Sequence, residues 1–537
     1  MNLGRKGKPM KISFKKVASI AVSTALVTTG LVAAPAIAAT KNLTVETVFQ
    51  LTSTDPARSF EQTGNMINRA LYETLLTYKG GDASTQVPGI ASKWSVNAGA
   101  TEFTFTIDSR AKFADGTKVT SADVVFSLNR LKNVKGNPSS LMNGITVSAP
   151  DASTVVLKTE KATPQVLAIV TSPALGILNS KVVKANGGSD AADANTADKA
   201  LEFLKTQSAG SGPYVLSSFN LTTEVVLNKN TKYWGAAKAG YDKIIVRNVP
   251  VNVQRLNVIK GSSSIAVDLS PDQATNLGNK VNVVTGKASN VFFFYLSQNP
   301  TFSAATKFTA NAKCIEAVRY GINYKKVVRY AGLGAVQAPG IIPSFFSGAL
   351  SQKDAIVQDT ARAKAAFDEC GIKDTPVSIG YWGDGGAVNG LNFGSLAALV
   401  EEDLRAIGFK PKLTGAPIAV SLPLYRENKE EMGLWLWGPD WPDSTNYTES
   451  FSPGTKVGLR MGWLAGSDPV ITNLQAQAST ETNAKKRAAL FTEWQKEMNK
   501  RSPLIPLVQP AAILVANKSV RGVQDHPIWK VNLSEIK

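Results

Sequence analysis

Histidine occurs once and cysteine twice among the 537 residues. One imidazole and two thiols cannot assemble a structural zinc site, an iron–sulfur cluster or a histidine-based metal centre without outside help. His-dependent hydrolysis would have only His526, close to the C-terminus, to draw on. The sequence marks of common enzymes are missing as well. There is no H-E-x-x-H and no G-x-S-x-G, Gly286-Lys287 lacks the upstream glycine and following hydroxyl of a phosphate loop, and Gln337 stands where Gly332-Leu-Gly334 would need a third glycine. Long charge runs are absent too, with no more than three consecutive bases and no aromatics interleaved among them. The formal net charge of +18 therefore describes a surface and not a nucleic-acid site. With 43% hydrophobic residues spread along the chain, disorder and a polytopic membrane protein are both excluded.

The N-terminus accounts for part of the charge. Arg5, Lys6, Lys8, Lys11, Lys15 and Lys16 precede an uncharged run from Val17 to Ala34, and Ala36-Ile37-Ala38 follows as an A-x-A cleavage site. This is the pattern of a secretory signal peptide over residues 1–38. The competing reading is a membrane anchor, but Ser19, Ser23, Thr24, Thr28, Thr29 and Gly30 interrupt a run that is barely long enough to span and ends at Pro35. No cysteine follows the apolar run, so lipid attachment at an N-terminal cysteine is not available. The expected location is outside the membrane, periplasmic or at the cell surface. Cleavage removes six bases and no acid, leaving 53 bases against 41 acids, a net charge of +12.

Beyond the signal, strand and helix patterns alternate. Leu43 to Gln50 reads as a strand, and Ile67, Ala70, Leu71, Leu75 and Tyr78 fall on one helical face. Phe103 to Ile107 alternates strictly, Asp115-Gly116 is a turn, and Thr120-Ser-Ala-Asp123 is a capping box opening a helix through Leu128. Ile244 to Val246 reads as a short strand and a helix follows Ser395. The pattern is α/β with mixed sheets. Residues 185–197, rich in Gly, Asp, Asn and Ala, read as a mobile surface loop.

Cys314 shares a helical face with Ala317, Val318 and Gly321, and Cys370 shares one with Ala363, Ala366 and Phe367. Two thiols on facing buried helices are expected to bond in an oxidising compartment, closing a loop worth about 4 kcal/mol in chain entropy. The alternative is two buried free thiols.

Several segments then carry a resemblance. Asp55-Pro56-Ala57 and Ala70-Leu-Tyr-Glu-Thr-Leu-Leu-Thr-Tyr78 come first, then Val87-Pro-Gly-Ile-Ala-Ser-Lys-Trp94. The stretch from Phe103 through Arg110, Phe113, Asp115-Gly116 and Thr120 to Ser127 is the most specific. Gly210-Ser-Gly-Pro-Tyr214, Tyr233-Trp-Gly235, Ala317 to Tyr324, Asp403-Leu404, Ile407-Gly408 and Trp437-Gly-Pro-Asp-Trp-Pro-Asp443 follow in order. Together they resemble the extracytoplasmic solute-binding proteins of ABC importers, in the oligopeptide, dipeptide and nickel family, known as family 5. Asn323 departs from the aspartate usual at its position.

The resemblance implies a two-lobed periplasmic-binding-protein-like fold with a hinge and an extra subdomain on the first lobe. Residues 40–78 and 176–290 would form the first lobe, 79–175 the extra subdomain, 291–504 the second lobe and 505–537 the return to the first, with Leu504 to Val508 as the returning strand. It implies a non-enzymatic monomer that binds a short peptide or another small solute and delivers it to an ABC permease with its ATPase, with no cofactor and no resident metal. In peptide-binding relatives the aspartate matching Asp440 pairs with the ligand's α-amino group. The alternative for Asp440 is a turn cap.

Trp437, Trp441 and Trp382 are candidate walls for an apolar ligand, although alternation along Leu434 to Trp437 also suits a core for Trp435 and Trp437. Arg426 is a candidate for a ligand carboxylate, the competing reading being a base on a solvated face. Rival cargoes are an oligosaccharide or a nickel chelate. Rival functions of another class are a secreted carboxylate-dependent hydrolase and a surface chaperone or adhesin.

Overall fold

The computed structural model describes residues 40–236 and 239–537. The signal-peptide reading of residues 1–38 lies outside the described residues. Among the described residues no helix is long and apolar enough to cross a membrane.

Two large mixed sheets organise the chain. The first has seven strands, in the spatial order Val281–Lys287, Ala511–Asn517, Ile265–Ala266, Asn42–Thr47, Lys243–Asn248, Glu224–Lys229 and Tyr214–Phe219. Its central strand, Asn42–Thr47, is parallel to both neighbours. Leu43 and Val45 point into a core closed by Met66, Ile67, Ala70 and Leu71 of the helix Gln62–Leu71. That helix stops at Leu71, so Leu75 and Tyr78 are not on it as the sequence pattern indicated. Tyr72 is already extended, and Leu76–Thr77 pairs with Val87–Pro88. The body around this sheet is the first lobe.

The second sheet has six strands, in the order Val336–Gln337, Leu504–Gln509, Val291–Leu296, Met432–Trp437, Pro376–Trp382 and Lys410–Ala416. Val291–Leu296 is buried along its whole length, as an apolar run covered on both faces must be. The parallel pair Pro376–Trp382 and Lys410–Ala416 is joined by the helix Phe393–Ile407, a βαβ unit. This body is the second lobe. On it, Cys314 and Cys370 form a disulfide between the helices Ala312–Gly321 and Thr360–Cys370, with Cα atoms 4.8 Å apart and both residues buried. At the expected aspartate position, Asn323 caps the helix Tyr324–Ala331 by accepting from the Lys326 amide.

A four-stranded antiparallel sheet, Ala91–Val96, Glu102–Ile107, Thr154–Thr159 and Ile145–Ser148, has its own core, with Phe103 and Phe105 packed against Val124, Leu128 and Leu131 of the helix Ser121–Val134. The capping box is present, because the Thr120 amide donates to Asp123 Oδ2 at 2.9 Å.

The chain passes from the first sheet to the second at residues 288–290 and returns at Pro510. Leu504–Gln509 belongs to the second sheet and not to the first, which corrects the expected returning strand. The returning strand is Ala511–Asn517. The switch between sheets falls at Pro510, between the two strands.

The segment 185–197 is also not the loose loop expected. It contains the helical turn Ala194–Ala197, the Asn133 amide donates to the Asp190 carbonyl at 2.8 Å, and the Ser189 amide donates to Asp198 Oδ2 at 3.0 Å. Asp198 in turn pairs with Arg130. Arg130 Nη1 and Nη2 each donate to Asp55 at 2.7 Å, and its Nε donates to Asp198 Oδ2 at 2.7 Å. All three side chains are fully buried.

Glu73 is a second buried hub. It accepts from Ser211 Oγ at 2.8 Å, Tyr233 Oη at 2.9 Å and Trp234 Nε1 at 2.7 Å. Tyr233 and Trp234 are half-buried partners of this carboxylate and not only an aromatic pair. Gly212 has no room for a side chain, since a Cβ there would meet the carbonyls of Ala70 and Leu71.

Another buried carboxylate sits in the second lobe. Glu430 Oε2 accepts from Tyr295 Oη and Trp435 Nε1, both at 2.8 Å. Burial pushes its carboxyl up to about 7, while the two donors pull the other way. A carboxyl raised from 4.5 makes the fold take up a proton between about pH 4.5 and 7. Its stabilising contribution is complete below pH 4.5 and is lost as the pH rises through 7, a swing of about 3 kcal/mol. Glu430→Gln keeps the acceptor but not the charge. Chemical unfolding at pH 5 and pH 8 should show the wild type losing about 3 kcal/mol relative to the variant. Parallel pH profiles for the two proteins would refute this role.

Candidate functional site

The strand Met432–Trp437 ends at the cleft edge, where Gly438 and Pro439 break the ladder and leave Asp440 on a loop. Two aspartates stand there with different roles. Asp443 is committed to structure: its Oδ1 accepts from the Thr445 amide at 2.8 Å, and Arg487 grips both oxygens at 2.9 and 2.8 Å. Asp440 donates its amide to Asn446 Oδ1 at 3.0 Å, while its carboxylate meets Lys456 Nζ only at 3.8 Å, beyond hydrogen-bond distance. The side chain is 30% exposed. Burial raises its carboxyl above the ordinary aspartate range, against the pull of Lys456, Asn446 and Arg460.

Asp440 lines two cavities. One, of about 320 Å³, lies between the lobes and brings Gln50, Gln62 and Asn65 of the first lobe opposite Asn389, Gly438 and Asp440 of the second. Asn290, on the crossing segment, also lines it, and among the described residues Asp440 is the one ionisable residue on its wall. The other, of about 280 Å³, lies between the small antiparallel subdomain and the second lobe, with Trp441, Asn446, Glu449 and Lys456 on its wall. Peptide-like and sugar-like ligands both need such a surface, with a few converging polar groups on an otherwise ordinary wall.

The other expected site residues divide. Trp441 lines the second of these cavities. Trp437 is 8% exposed and packs edge-on against Phe451 at 5.7 Å, with Lys456 Nζ 4.9 Å above its ring. Trp435 shares its face and core, while Leu434 and Leu436 pack into the core on the opposite side of the sheet. Trp382 packs against Phe393 at 5.7 Å and lines neither cavity. Arg426 ends the helix Ile418–Arg426, is exposed and also lines neither. The arginine beside Asp440 is Arg460, stacked over Tyr425 and Trp437 at 5.1 and 5.7 Å. Sequence reading missed Asn446, Glu449, Lys456 and Arg460. The spacing of Asn446, Glu449 and Ser450 along the helix Thr445–Phe451, one face of a helix beginning just after the Asp440 loop, was the available signal.

Comparison with known proteins places this geometry. The family profile described as bacterial extracellular solute-binding proteins, family 5 middle, matches residues 85–458. The probable D,D-dipeptide-binding periplasmic protein DdpA of Escherichia coli K12 is 27% identical over 483 residues, covering 88% of this chain and 89% of the relative. The glutathione-binding protein GsiB of Salmonella paratyphi A is 24% identical over 508 residues, covering 92% and 93%. Among solved structures, the ABC transporter substrate-binding protein CtaP of Listeria monocytogenes shares the fold with a TM-score of 0.78 at 16% identity, covering 92% of this chain and 98% of its own. The chain belongs to the bacterial extracellular solute-binding proteins of family 5, and it is a substrate-binding component of an ABC importer, a non-enzymatic part of a transport system.

Proposed function

We propose that the protein captures short peptides bearing a free α-ammonium group in the cleft between its lobes, outside the membrane, and as a monomer hands them to an ABC permease with its ATPase. Asp440 carries this reading. It is a carboxylate at the edge of an interlobe cavity, not bound into the fold by hydrogen bonds as Asp443 is. An enclosed ammonium needs both an anion and further acceptors, or its desolvation outweighs the attraction. The amides of Gln50, Gln62, Asn65, Asn290 and Asn389 supply such acceptors on the same wall. The two curated relatives described above are named for a D,D-dipeptide and for glutathione, which favours a peptide-like cargo. Trp441 would flank the bound ligand, while Trp437 would support the loop from beneath. Closure of the lobes follows from a higher ligand affinity of the closed state.

Calorimetry with Ala-Ala, its N-acetylated form and a neutral disaccharide tests the reading. The free-amine peptide is expected to bind and raise the unfolding temperature, and acetylation is expected to abolish both effects. Equal affinity for the acetylated peptide, or stabilisation by the disaccharide alone, would defeat it.

A further inference from the structure

Among the described residues, the two cavities that meet at Asp440 share no other lining residue. A ligand whose α-ammonium rests on Asp440 has its first Cα at that junction, so its main chain and its first side chain enter different compartments. The interlobe cavity offers neutral amides, suited to a main chain. The second cavity has a different chemistry. Leu141, Ile145, Ile169 and Trp441 supply an apolar part of its wall, Ser140, Asn143, Thr163 and Lys456 a polar part, and Glu449 places a second carboxylate on the same surface. A wall that pairs an apolar stretch with an acidic acceptor matches a long aliphatic stem with a cationic head.

Two further observations point to an occupant. Gln165 is 7% exposed and Asn446 is fully buried; both residues are on the wall of this cavity, and Gln165 Oε1 and Asn446 Nδ2 have no hydrogen-bond partner among the described residues. Unpaired buried polar atoms are costly, and a ligand donor and acceptor would satisfy them. Burial also holds the Glu449 carboxyl above its ordinary range, with Ser479, Lys161 and Arg487 pulling it down and Asp443 adding to the rise. Arg487 is already engaged by Asp443.

We propose that this second cavity is the compartment for the first side chain of the ligand and selects a basic one, lysine or arginine, with Glu449 receiving its cationic head. The proposal rests on Asp440 as the ammonium site. Lys456 is on the same wall, 3.8 Å from Asp440 and over the Trp437 ring, and its 55% exposure lets water take up its charge when the ligand's ammonium displaces it. Peptides beginning with a basic residue are then the preferred cargo, and those beginning with an acidic residue are repelled by two carboxylates.

Calorimetric titration of the mature protein with Lys-Ala and norleucine-Ala separates the two levels, because norleucine keeps the aliphatic stem and lacks the charge. Binding of norleucine-Ala reads the peptide function, and the affinity ratio reads the compartment. Lys-Ala is expected to bind about 10- to 100-fold more tightly, the size of a charge-assisted hydrogen bond. Glu449→Gln, nearly isosteric, should bring that ratio towards one, and raising the salt concentration should narrow it only slightly for a buried pair. Equal affinities in the wild type, or a preference that survives Glu449→Gln, would overturn the inference while leaving the peptide function standing. Failure of both peptides to bind would overturn both.

Discussion

Asp440→Asn is expected to weaken binding of a free-amine dipeptide by about 2–5 kcal/mol, roughly 30-fold to several thousandfold. The substitution preserves the shape of the side chain and leaves the main-chain hydrogen bond to Asn446 in place, so the loop should keep its conformation. What is lost is the negative charge that a desolvated ammonium requires, and most of the cost is that of enclosing the ligand's ammonium unpaired. Wild-type affinity should also decline on the acid side, beginning at a higher pH than for an ordinary aspartate, because burial raises this carboxyl. Calorimetry at pH 7.5 with a matched pair of proteins decides the matter. Affinities within a factor of about two would remove Asp440 from the site, since a lost charge pair should cost far more.

The second large effect concerns the fold itself. Arg130→Met is expected to destabilise the protein by about 3–5 kcal/mol, because it leaves Asp55 and Asp198 buried without their main partner. Arg58 reaches these carboxylates only at 3.4 and 3.3 Å, is partly exposed, and cannot replace a buried bidentate guanidinium. Adding Asp55→Asn and Asp198→Asn to Arg130→Met removes the orphaned charges and should restore most of the loss, since neutralising a whole buried network is far less costly than breaking it. Urea unfolding of the three proteins measures both steps. A loss under about 1 kcal/mol for Arg130→Met would place the network with exposed ion pairs instead. The family segment beginning at Asp55 thus has a physical basis. Asp55 anchors the helix Ser121–Val134 of the small subdomain to the first lobe through Arg130.

Local chemistry made parts of this legible in the sequence. The Thr120 and Asp123 capping box, the alternation of Phe103 to Ile107 and the shared face of Trp435 and Trp437 each depend on residues within a few positions of one another. The Cys314 and Cys370 pair was legible because two helical stripes carried the thiols. Arg130 carried no such signal, as one base in a helix looks like any solvated base until Asp55 and Asp198 arrive from 75 and 68 residues away. The same holds for Glu73, whose donors lie 138 to 161 residues downstream. Arg426 stands 14 residues before Asp440, and chain distance alone makes it the candidate. The helix Ile418–Arg426 carries it elsewhere, while the turn around Lys456–Arg460 brings Lys456 and Arg460 back to Asp440. Leu504 to Val508 and Ala511 to Asn517 are equally apolar, so nothing local says which sheet each joins. Pro510 stands between them, but Pro506 lies inside the first strand without ending it, so proline alone does not mark the change.

The two lobe crossings are short, three residues at 288–290 and one at Pro510, and they are bonded to each other. The Ala288 amide donates to the Pro510 carbonyl at 3.0 Å, and Gln509 Nε2 donates to the Ala288 carbonyl at 2.8 Å. A ligand held by one lobe therefore meets the other at a high effective concentration, as an intramolecular event and not a second encounter. Tethers this brief leave almost no slack to lose on closure, so little of the ligand's interaction energy goes into ordering a linker.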